Sequence, residues 1–380
     1  MRLYVHIPFC RRKCSYCAFF SQKLIYESKE IFLTGLEHEI RRRSRDPSRT
    51  RIRSIYFGGG TPSVLDISDL ERIVTAIHRE FSVPAGVEFT LEGNPESLHS
   101  RDYIRGLKQL GINRVSIGLQ SLNPERLEIL GRLHTARQGL NALQTVRDAG
   151  LENSGVDLIW GLPGQTPAQW LEELKTVVGY GPKHISCYGL SLEPGTELSG
   201  RVRDGELVLP GEEEQARMYI YGAEYLEGAG MLQYEISNFA RMGFCCSHNL
   251  AYWQGEDFLG LGPSAVSTLD GYRVQNAANI KDYAHAAEHG PDMENWERIS
   301  GEKALQEMIM LSLRTSRGLS LREYRRTSGR DFCTVYRNLI QTLYDNNLIR
   351  IANGYMRLTK NGMLVSDAII GRILDSSWEQ

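Results

Sequence analysis

The sequence predicts an α/β protein: an open, partial (β/α)6 barrel followed by a C-terminal winged-helix-like α+β domain. Six short apolar runs alternate with amphipathic segments in the first half of the chain, and the runs end in polar or glycine-rich residues. Alternation of this kind predicts parallel strands joined by right-handed crossovers. Because a closed barrel requires eight such units, six units predict a barrel that stays open.

Hydrophobic periodicity predicts each element of the barrel. The predicted strands are Leu3–Ile7, Ile52–Phe57, Val87–Glu92, Arg114–Gly118, Gly155–Ile159 and His184–Leu190. The predicted helices are Tyr26–Arg43, Ile67–Phe81, Arg101–Leu110, Ala136–Ala149 and Pro167–Val178. Gly111 and Gly150 stand where two of these helices should end.

The pattern changes after residue 205, which predicts three regions: a barrel over 1–205, a connecting region over 206–300 and a C-terminal domain over 301–380. Gly211–Gly230 is predicted to be a helix with an acidic start. Leu348–Leu358 predicts a hairpin that turns at Asn353-Gly354. Helices followed by such a hairpin are typical of a winged-helix-like domain.

Composition excludes several classes of protein. The chain has 380 residues, 41% hydrophobic and 24% charged, with a net charge of −2, which is an ordinary globular balance. No apolar run approaches the roughly 18 residues of a membrane span. An odd count of seven cysteines in a chain of this length argues against a disulfide framework. We therefore expect the protein in the reducing cytoplasm.

Cys10, Cys14 and Cys17 form a C-x3-C-x2-C run. Three thiolates on one loop can hold three irons of a [4Fe–4S] cluster and leave the fourth iron without a protein ligand. The amino and carboxylate groups of S-adenosylmethionine suit that open position. A structural zinc site is the alternative, with His6 as a fourth ligand, although no second cysteine pair follows at the usual spacing.

Polar residues follow the predicted strands, and the carboxyl ends of parallel strands meet at one mouth. The Gly58–Pro62 turn lacks both phosphate-binding fingerprints. It is either a tight turn or a cradle whose exposed amides approach the aminoacyl end of the cofactor. The side chains that could bind a polar ligand there are Glu92, Gln120, Arg132 and Asp157.

Two further features lie in the second half of the chain. His248 follows the adjacent Cys245 and Cys246; a histidine can ligate haem iron, but a lone loop histidine is more often structural. Residues 314–360 contain nine Arg and one Lys against three acidic residues. Because these residues form no compact Lys/Arg block with interleaved aromatics, the excess favours a solvated face or an acidic partner over nucleic acid.

Five ordered motifs resemble radical S-adenosylmethionine proteins of the coproporphyrinogen-dehydrogenase superfamily. They are Tyr4–Cys10, the cysteine trio, Gly58–Pro62, Val115–Ser121 and Asp157–Pro163. The resemblance implies a partial (β/α)6 barrel with a C-terminal domain and a cluster bound by the three cysteines. It also implies a set of S-adenosylmethionine-binding residues: Tyr4, Gly60, Thr61, Glu92, Gln120, Arg132 and Asp157.

Within that superfamily the chain resembles the HemW-type haem chaperones. The dehydrogenases carry a further cysteine two residues after the third one, where this chain has Phe19. Ala18 replaces an aspartate that is common in the family. The His248-Asn249-x-x-Tyr252 motif matches one associated with haem in the HemW group, which makes His248 the candidate haem ligand.

The resemblance implies a carrier that binds haem and transfers it to haem-requiring proteins, such as respiratory proteins at the membrane surface. An electron donor for the cluster is a further implied partner. The alternative is an enzyme that decarboxylates coproporphyrinogen III without oxygen. Whether S-adenosylmethionine is cleaved, whether haem is bound covalently and what the oligomeric state is stay open at the level of the sequence.

Overall fold

The computed structural model describes residues 1–46, 50–290 and 296–375. The strands are β1 (Arg2–Ile7), β2 (Phe9–Cys10), β3 (Gln22–Lys23), β4 (Ser54–Gly59), β5 (Glu88–Gly93), β6 (Arg114–Gln120), β7 (Ser154–Trp160), β8 (His184–Gly189), β9 (Leu232–Gln233), β10 (Asn238–Ala240), β11 (Phe258–Leu261), β12 (Val266–Leu269), β13 (Tyr272–Gln275), β14 (Glu297–Arg298), β15 (Leu319–Ser320), β16 (Ile349–Ala352) and β17 (Tyr355–Leu358). None of the described helices is long and apolar enough to cross a bilayer.

Helices connect most of these strands. They are α1 (Tyr26–Arg43), α2 (Ile67–Glu80), α3 (Arg101–Gln109), α4 (Pro124–Ile129), α5 (Ala136–Asp148), α6 (Pro167–Gly179), α7 (Glu197–Arg203), α8 (Glu212–Gly228), α9 (Ser247–Trp253), α10 (Ile280–His289), α11 (Glu302–Leu313), α12 (Leu321–Ser328), α13 (Phe332–Val335), α14 (Arg337–Asp345), α15 (Lys360–Leu364) and α16 (Ser366–Asp375). Thr135 and Thr166 cap α5 and α6, each in a capping box with a glutamine.

The six predicted strands form a parallel sheet in the order β1-β4-β5-β6-β7-β8, which confirms the predicted fold class. The strand bounds differ from the predicted ones by one or two residues. For example, β4 continues to Gly59, where a φ of +107° turns the chain away from the sheet.

Strands from the connecting region extend this sheet on both sides. β11 pairs in parallel with β1 and continues into antiparallel β12, β13 and β14, whereas β10 and β9 continue antiparallel from β8. Each of these strands spans only two to four residues, too few for a periodic pattern to predict them from the sequence. Together they cover both edges of the six-stranded parallel sheet. The division of the chain at residue 205 stays a prediction.

The two faces of the parallel strands differ in polarity. Ile55, Phe57, Leu91 and Ile117 are fully buried in the apolar core. Alternate residues point the other way and fill the barrel interior with polar groups, among them Tyr56, Glu92, Ser116, Asp157 and Ser186. This alternation places a polar chamber inside an apolar shell.

The C-terminal domain has the predicted winged-helix-like arrangement. Its three-stranded sheet has the order β15-β17-β16, and the β16–β17 hairpin turns at Asn353-Gly354 as expected. A second apolar cluster fills this domain and reaches the barrel through Tyr219. An ion pair of 2.7 Å between Lys360 and Glu227 links α15 to α8.

Candidate functional site

A cavity of ≈ 660 Å³ opens at the carboxyl ends of the parallel strands. Nine of the eleven predicted site residues line it, whereas Tyr4 and His248 do not. The nine are Cys10, Cys14, Cys17, Gly60, Thr61, Glu92, Gln120, Arg132 and Asp157. The structure therefore brings the cysteine run and the polar strand ends into one site, as the topology predicted.

The cysteine loop is tied to the barrel at several points. β2 and β3 pair at its two ends. Between them, Ser15 donates through Oγ to the carbonyl of Ile129 at 2.6 Å, and its own carbonyl accepts from the amide of Leu198 at 2.9 Å. These contacts hold the loop over the open end of the barrel.

The three thiols are unpaired and partly buried, and two of them accept hydrogen bonds. Arg132 Nη1 lies 3.2 Å from Cys14 Sγ, and Thr61 Oγ1 lies 3.5 Å from Cys10 Sγ. Donors of this kind stabilise negative charge on sulfur and tune iron–sulfur clusters. Free thiols, nearby donors and a shared cavity fit an iron–sulfur cluster.

The zinc alternative fits less well. Its candidate fourth ligand, His6, has both ring nitrogens engaged: Nδ1 lies 3.2 Å from Tyr4 Oη, and Nε2 lies 2.9 Å from the carbonyl oxygen of Phe20. Among the residues that the structure describes, no three His, Cys, Asp or Glu side chains are grouped to hold a single metal ion.

The glycine-rich turn has a different role from the expected cradle of exposed amides. The amide of Gly60 donates to the carbonyl of Ile7 at 2.9 Å, and that of Thr61 donates to Phe9 at 2.7 Å. A Cβ on Gly60 would lie 2.6 Å from the oxygen of Phe9. The turn therefore lets the backbone before Cys10 approach closely, and these two amides are not free for a ligand.

Two carboxylates face the cavity from neighbouring parts of the sheet. Tyr56 donates to Glu92 Oε1 at 2.6 Å, and Ser116 Oγ lies 3.1 and 3.3 Å from the two oxygens of Asp157. Burial raises the pKa of Glu92 to about 7, and Asp157 adds to this rise. Burial also raises the pKa of Asp157 above its ordinary value.

Arg132 connects the cysteine loop to the strand ends. Besides contacting Cys14, it donates through Nη2 to Asn94 Oδ1 at 2.5 Å and to the carbonyl of Gly118 at 2.7 Å. Asn94 in turn donates to Thr61 Oγ1 at 3.1 Å. The sequence analysis did not single out Asn94, although it stands two residues after Glu92 at the end of β5.

Gln120 lines the cavity from the end of β6. Its φ of +66° is unusual for a residue other than glycine. The pairing of β6 with β7 shifts its register between Gly118 and Gln120. Such irregularities often re-aim a side chain next to a functional site.

Tyr4 lies below the cavity wall, inside the barrel. Its hydroxyl contacts His6, and its ring stacks on Tyr56 with 6.2 Å between the centroids. Burial raises its pKa well above the ordinary value. The structure therefore places Tyr4 next to the residue that binds Glu92 and away from the lining of the cavity.

His248 lies near the amino ends of the strands, away from the cysteine loop. It is 1% exposed, with Nδ1 2.8 Å from Ser54 Oγ and Nε2 3.0 Å from Tyr252 Oη. Burial lowers its pKa to about 3, so the ring is neutral. In this arrangement neither nitrogen is available to a ligand.

Comparison with known proteins assigns the class that this fold and site define. The model of the Radical SAM superfamily matches residues 4–177, and the model of the HemN C-terminal domain matches residues 299–365. The solved structure of coproporphyrinogen III oxidase (HemN) from Escherichia coli superposes with a TM-score of 0.83. At 23% identity over 99% of this chain and 90% of that one, it shows a common fold.

The curated relatives narrow this class. The chain is 32% identical to "Heme chaperone HemW" of Bacillus subtilis over 98% of both chains. It is 35% identical to "Heme chaperone HemW" of Synechocystis over 83% of this chain and 78% of that one. The chain belongs to the HemW family of radical S-adenosylmethionine proteins. Membership of the superfamily implies a [4Fe–4S] cluster and S-adenosylmethionine.

Proposed function

We propose that this protein is a haem chaperone, which binds haem and transfers it to haem-requiring proteins. One observation carries this proposal: the chain is similar to curated haem chaperones along 98% of its length and 98% of theirs. The acceptors would include respiratory haem proteins, and the protein would work in the cytoplasm, peripheral to the membrane where such acceptors reside. An electron donor would serve the cluster.

Cys10, Cys14 and Cys17 would hold the cluster in this proposal. The two hydrogen bonds to Cys10 and Cys14 support their role as thiolate ligands. A radical S-adenosylmethionine cluster, when bound, supplies an electron that can cleave the sulfonium bond of the cofactor. The loop would contribute the three ligands, and its residues line one side of the cavity.

The polar residues around the cavity would bind S-adenosylmethionine. Glu92 and Asp157 offer carboxylate acceptors, and Gln120 offers an amide that can donate and accept. Arg132 would orient the cofactor from beside Cys14. Gly60 would act through the shape of the turn and Tyr4 through Tyr56, because the Gly60 amide donates to Ile7 and Tyr4 does not line the cavity. Thr61 lines the cavity, and its hydroxyl lies beside Cys10 Sγ.

The cavity mouth supports a large, flat, acidic ligand. Phe19 is 70% exposed and Tyr188 is 44% exposed, and both line the cavity. Arg12 and Lys13 line it as well and are exposed. Aromatic faces next to cations suit a porphyrin, whose ring is apolar and whose edge carries two carboxylates.

Haem titration of the purified protein tests the proposal. We expect a Soret shift that saturates as haem is added to the wild-type chain. An unchanged Soret band at all ratios would contradict haem binding. An anaerobic assay on the same reconstituted preparation, with a reductant and S-adenosylmethionine, tests the alternative: formation of protoporphyrinogen would identify a coproporphyrinogen dehydrogenase instead.

The haem ligand within this proposal stays a prediction. His248 was expected to bind the iron, yet ligation would require its ring to leave Tyr252 or Ser54 and to become exposed. Titration of His248→Ala beside the wild type decides this point. A change of the Soret, Q and charge-transfer bands in the variant, to those of haem without a histidine ligand, would support ligation by His248.

A further inference from the structure

We infer that the His248-Asn249-x-x-Tyr252 segment forms the floor of the barrel and acts through Tyr56 as a positioning element for Glu92. The inference rests on the proposed role of Glu92 in binding S-adenosylmethionine. It gives the motif a role at the cofactor site, although the motif lies at the opposite end of the strands.

The segment is anchored by the strand that carries Glu92. Helix α9 begins at Ser247, and its first amides donate to the carboxylate of Glu88: Ser247 N to Oε2 at 2.9 Å and His248 N to Oε1 at 2.8 Å. A carboxylate at a helix N-terminus satisfies amides that otherwise lack partners. Glu88 opens β5, and Glu92 stands four residues further along the same strand.

His248 joins this helix to the neighbouring strand. Its Nδ1 lies 2.8 Å from Ser54 Oγ at the start of β4, and its Nε2 lies 3.0 Å from Tyr252 Oη. Both rings of the motif are thereby fixed against each other, with centroids 5.0 Å apart at 87°. The helix therefore bridges β4 and β5, the neighbouring strands that carry Tyr56 and Glu92.

Asn249 extends the floor to the far side of the barrel. Its Nδ2 donates to Tyr234 Oη at 3.4 Å, and the same hydroxyl lies 2.8 Å from Nε2 of His184 at the start of β8. His184 is 3% exposed. The motif thus closes the interior from β4 round to β8.

Tyr56 transmits this arrangement to the cavity. Its ring packs on the imidazole of His248, with 5.1 Å between centroids and 30° between planes. Its hydroxyl donates to Glu92 Oε1 at 2.6 Å. Tyr4 also stacks on Tyr56, at 6.2 Å and 29°, so the phenol contacts two rings while its hydroxyl donates a hydrogen bond to one carboxylate oxygen.

This contact chain assigns separate tasks to the groups. Glu92 is the residue at the cavity, Tyr56 fixes its orientation, and His248 fixes Tyr56. Removing only the Tyr56 hydroxyl would leave the packing but take away one of the hydrogen bonds that orient Glu92, which keeps its bond from the backbone of Gly59. Removing the imidazole would leave the hydroxyl but free the phenol ring to move.

The test measures affinity for S-adenosylmethionine in the reconstituted full-length protein. We expect Tyr56→Phe and His248→Ala each to weaken binding by about 3- to 10-fold. In both variants Glu92 can still hydrogen-bond to the cofactor, but its carboxylate is less well oriented, so that this bond is weakened and not removed. His78→Ala, an exposed histidine on α2, is the matched control and should bind as the wild type does.

The double variant distinguishes positioning from general loosening of the fold. If His248 acts through the Tyr56 hydroxyl, His248→Ala should weaken binding little further in the Tyr56→Phe background. The electron paramagnetic resonance spectrum of the reduced cluster should show the same weaker response to the cofactor in all three variants.

Unchanged affinity in Tyr56→Phe would overturn the inference, and so would fully additive losses in the double variant. Loss of haem ligation in His248→Ala with unchanged affinity for S-adenosylmethionine would also overturn it and would return the motif to a haem role. Failure of the wild-type chain to bind haem contradicts the proposed function alone, because this test does not use haem.

Discussion

At the scale of residues, alternation along the strands creates the site. In β5, Leu91 enters the apolar core while Glu92 enters the polar interior. The interior residues reach one another across strands, as Ser116 reaches Asp157. A shift by one residue in any strand would exchange these faces, so the register determines which side chains line the cavity.

The cysteine trio leads to the first prediction. Cys14→Ser should abolish stable binding of the [4Fe–4S] cluster, because it removes one of the three proposed ligands, whose sulfur accepts a hydrogen bond from Arg132. Iron and sulfide analysis after anaerobic reconstitution measures the loss. Cys333→Ser, at a partly exposed thiol in the C-terminal domain, is the control; equal iron content in the two variants would show that Cys14 is no ligand.

Glu92 leads to a prediction about pH. Burial raises its pKa from 4.5 to about 7, so between these values the folded protein holds a proton that the unfolded chain has released. The contribution of this group to the free energy of unfolding is therefore fully present below pH 4.5 and is lost as the pH rises through about 7. The shift corresponds to about 3 kcal/mol.

Chemical denaturation of the cofactor-free protein at pH 5.5 and pH 8 measures this dependence. We expect Glu92→Gln to reduce it, because an amide does not titrate, whereas Asp157 and Glu235, whose pKa values burial also raises, keep the rest. The exposed Glu71→Gln on α2 should keep the wild-type dependence. Identical pH profiles for the wild type and Glu92→Gln would show that Glu92 ionises at its ordinary pKa.

At the scale of elements, helix α9 shows how a short helix can be fixed by another element. It spans only Ser247–Trp253, too short to be stable alone. A carboxylate from β5 binds its first two amides, the His248 ring packs on Tyr56, and the Tyr252 ring packs on Phe258. Its stability therefore comes from tertiary contacts.

The anchor of α9 can be tested directly. Glu88→Gln leaves one acceptor oxygen for two amides and removes the charge that favours a helix N-terminus, so we expect a loss of about 1–3 kcal/mol in the free energy of unfolding. Urea denaturation at pH 7.5 provides the measurement, again with Glu71→Gln as the control. A loss no greater than that of the control would remove Glu88 as the anchor.

At the scale of the whole molecule, strands of the connecting region cover both edges of the parallel sheet. β11 covers β1 and β10 covers β8, so the first 205 residues alone would expose both edges. Phe239, Leu259 and Leu261 from these strands belong to the main apolar core. The sheet is therefore complete only when the connecting region has folded onto it.

This arrangement predicts the outcome of truncation. A chain ending at residue 205 should be aggregated and unable to hold a cluster, because its edge strands are uncovered. A chain ending at residue 300 keeps β1 to β14 and should retain cluster binding after reconstitution. Size-exclusion chromatography with iron analysis compares the two; a monomeric, cluster-binding 1–205 chain would contradict the prediction and support the division at residue 205.

The sequence alone determined what depends on neighbours along the chain. The alternation of strands and helices and the Asn353-Gly354 turn are local patterns, and their predictions agree with the structure. The spacing of Cys10, Cys14 and Cys17 is also local; it predicted a [4Fe–4S] cluster, which membership of the superfamily implies, whereas the ligand set stays a prediction. Tertiary structure alone decided what depends on distant partners. His248 meets Ser54 across 194 positions of the chain, and the amides of Gly60 and Thr61 are taken by the strand before Cys10.

The physical reason is that hydrogen-bond partners inside a barrel are chosen by register and packing, which no local pattern encodes. A histidine in a polar motif has the same sequence context whether it faces a ligand or closes a barrel. Its burial, its two engaged nitrogens and its contact with Tyr56 distinguish the two cases. The class of cofactor follows from the amino-acid sequence, whereas the position of each side chain around the cavity follows from the fold.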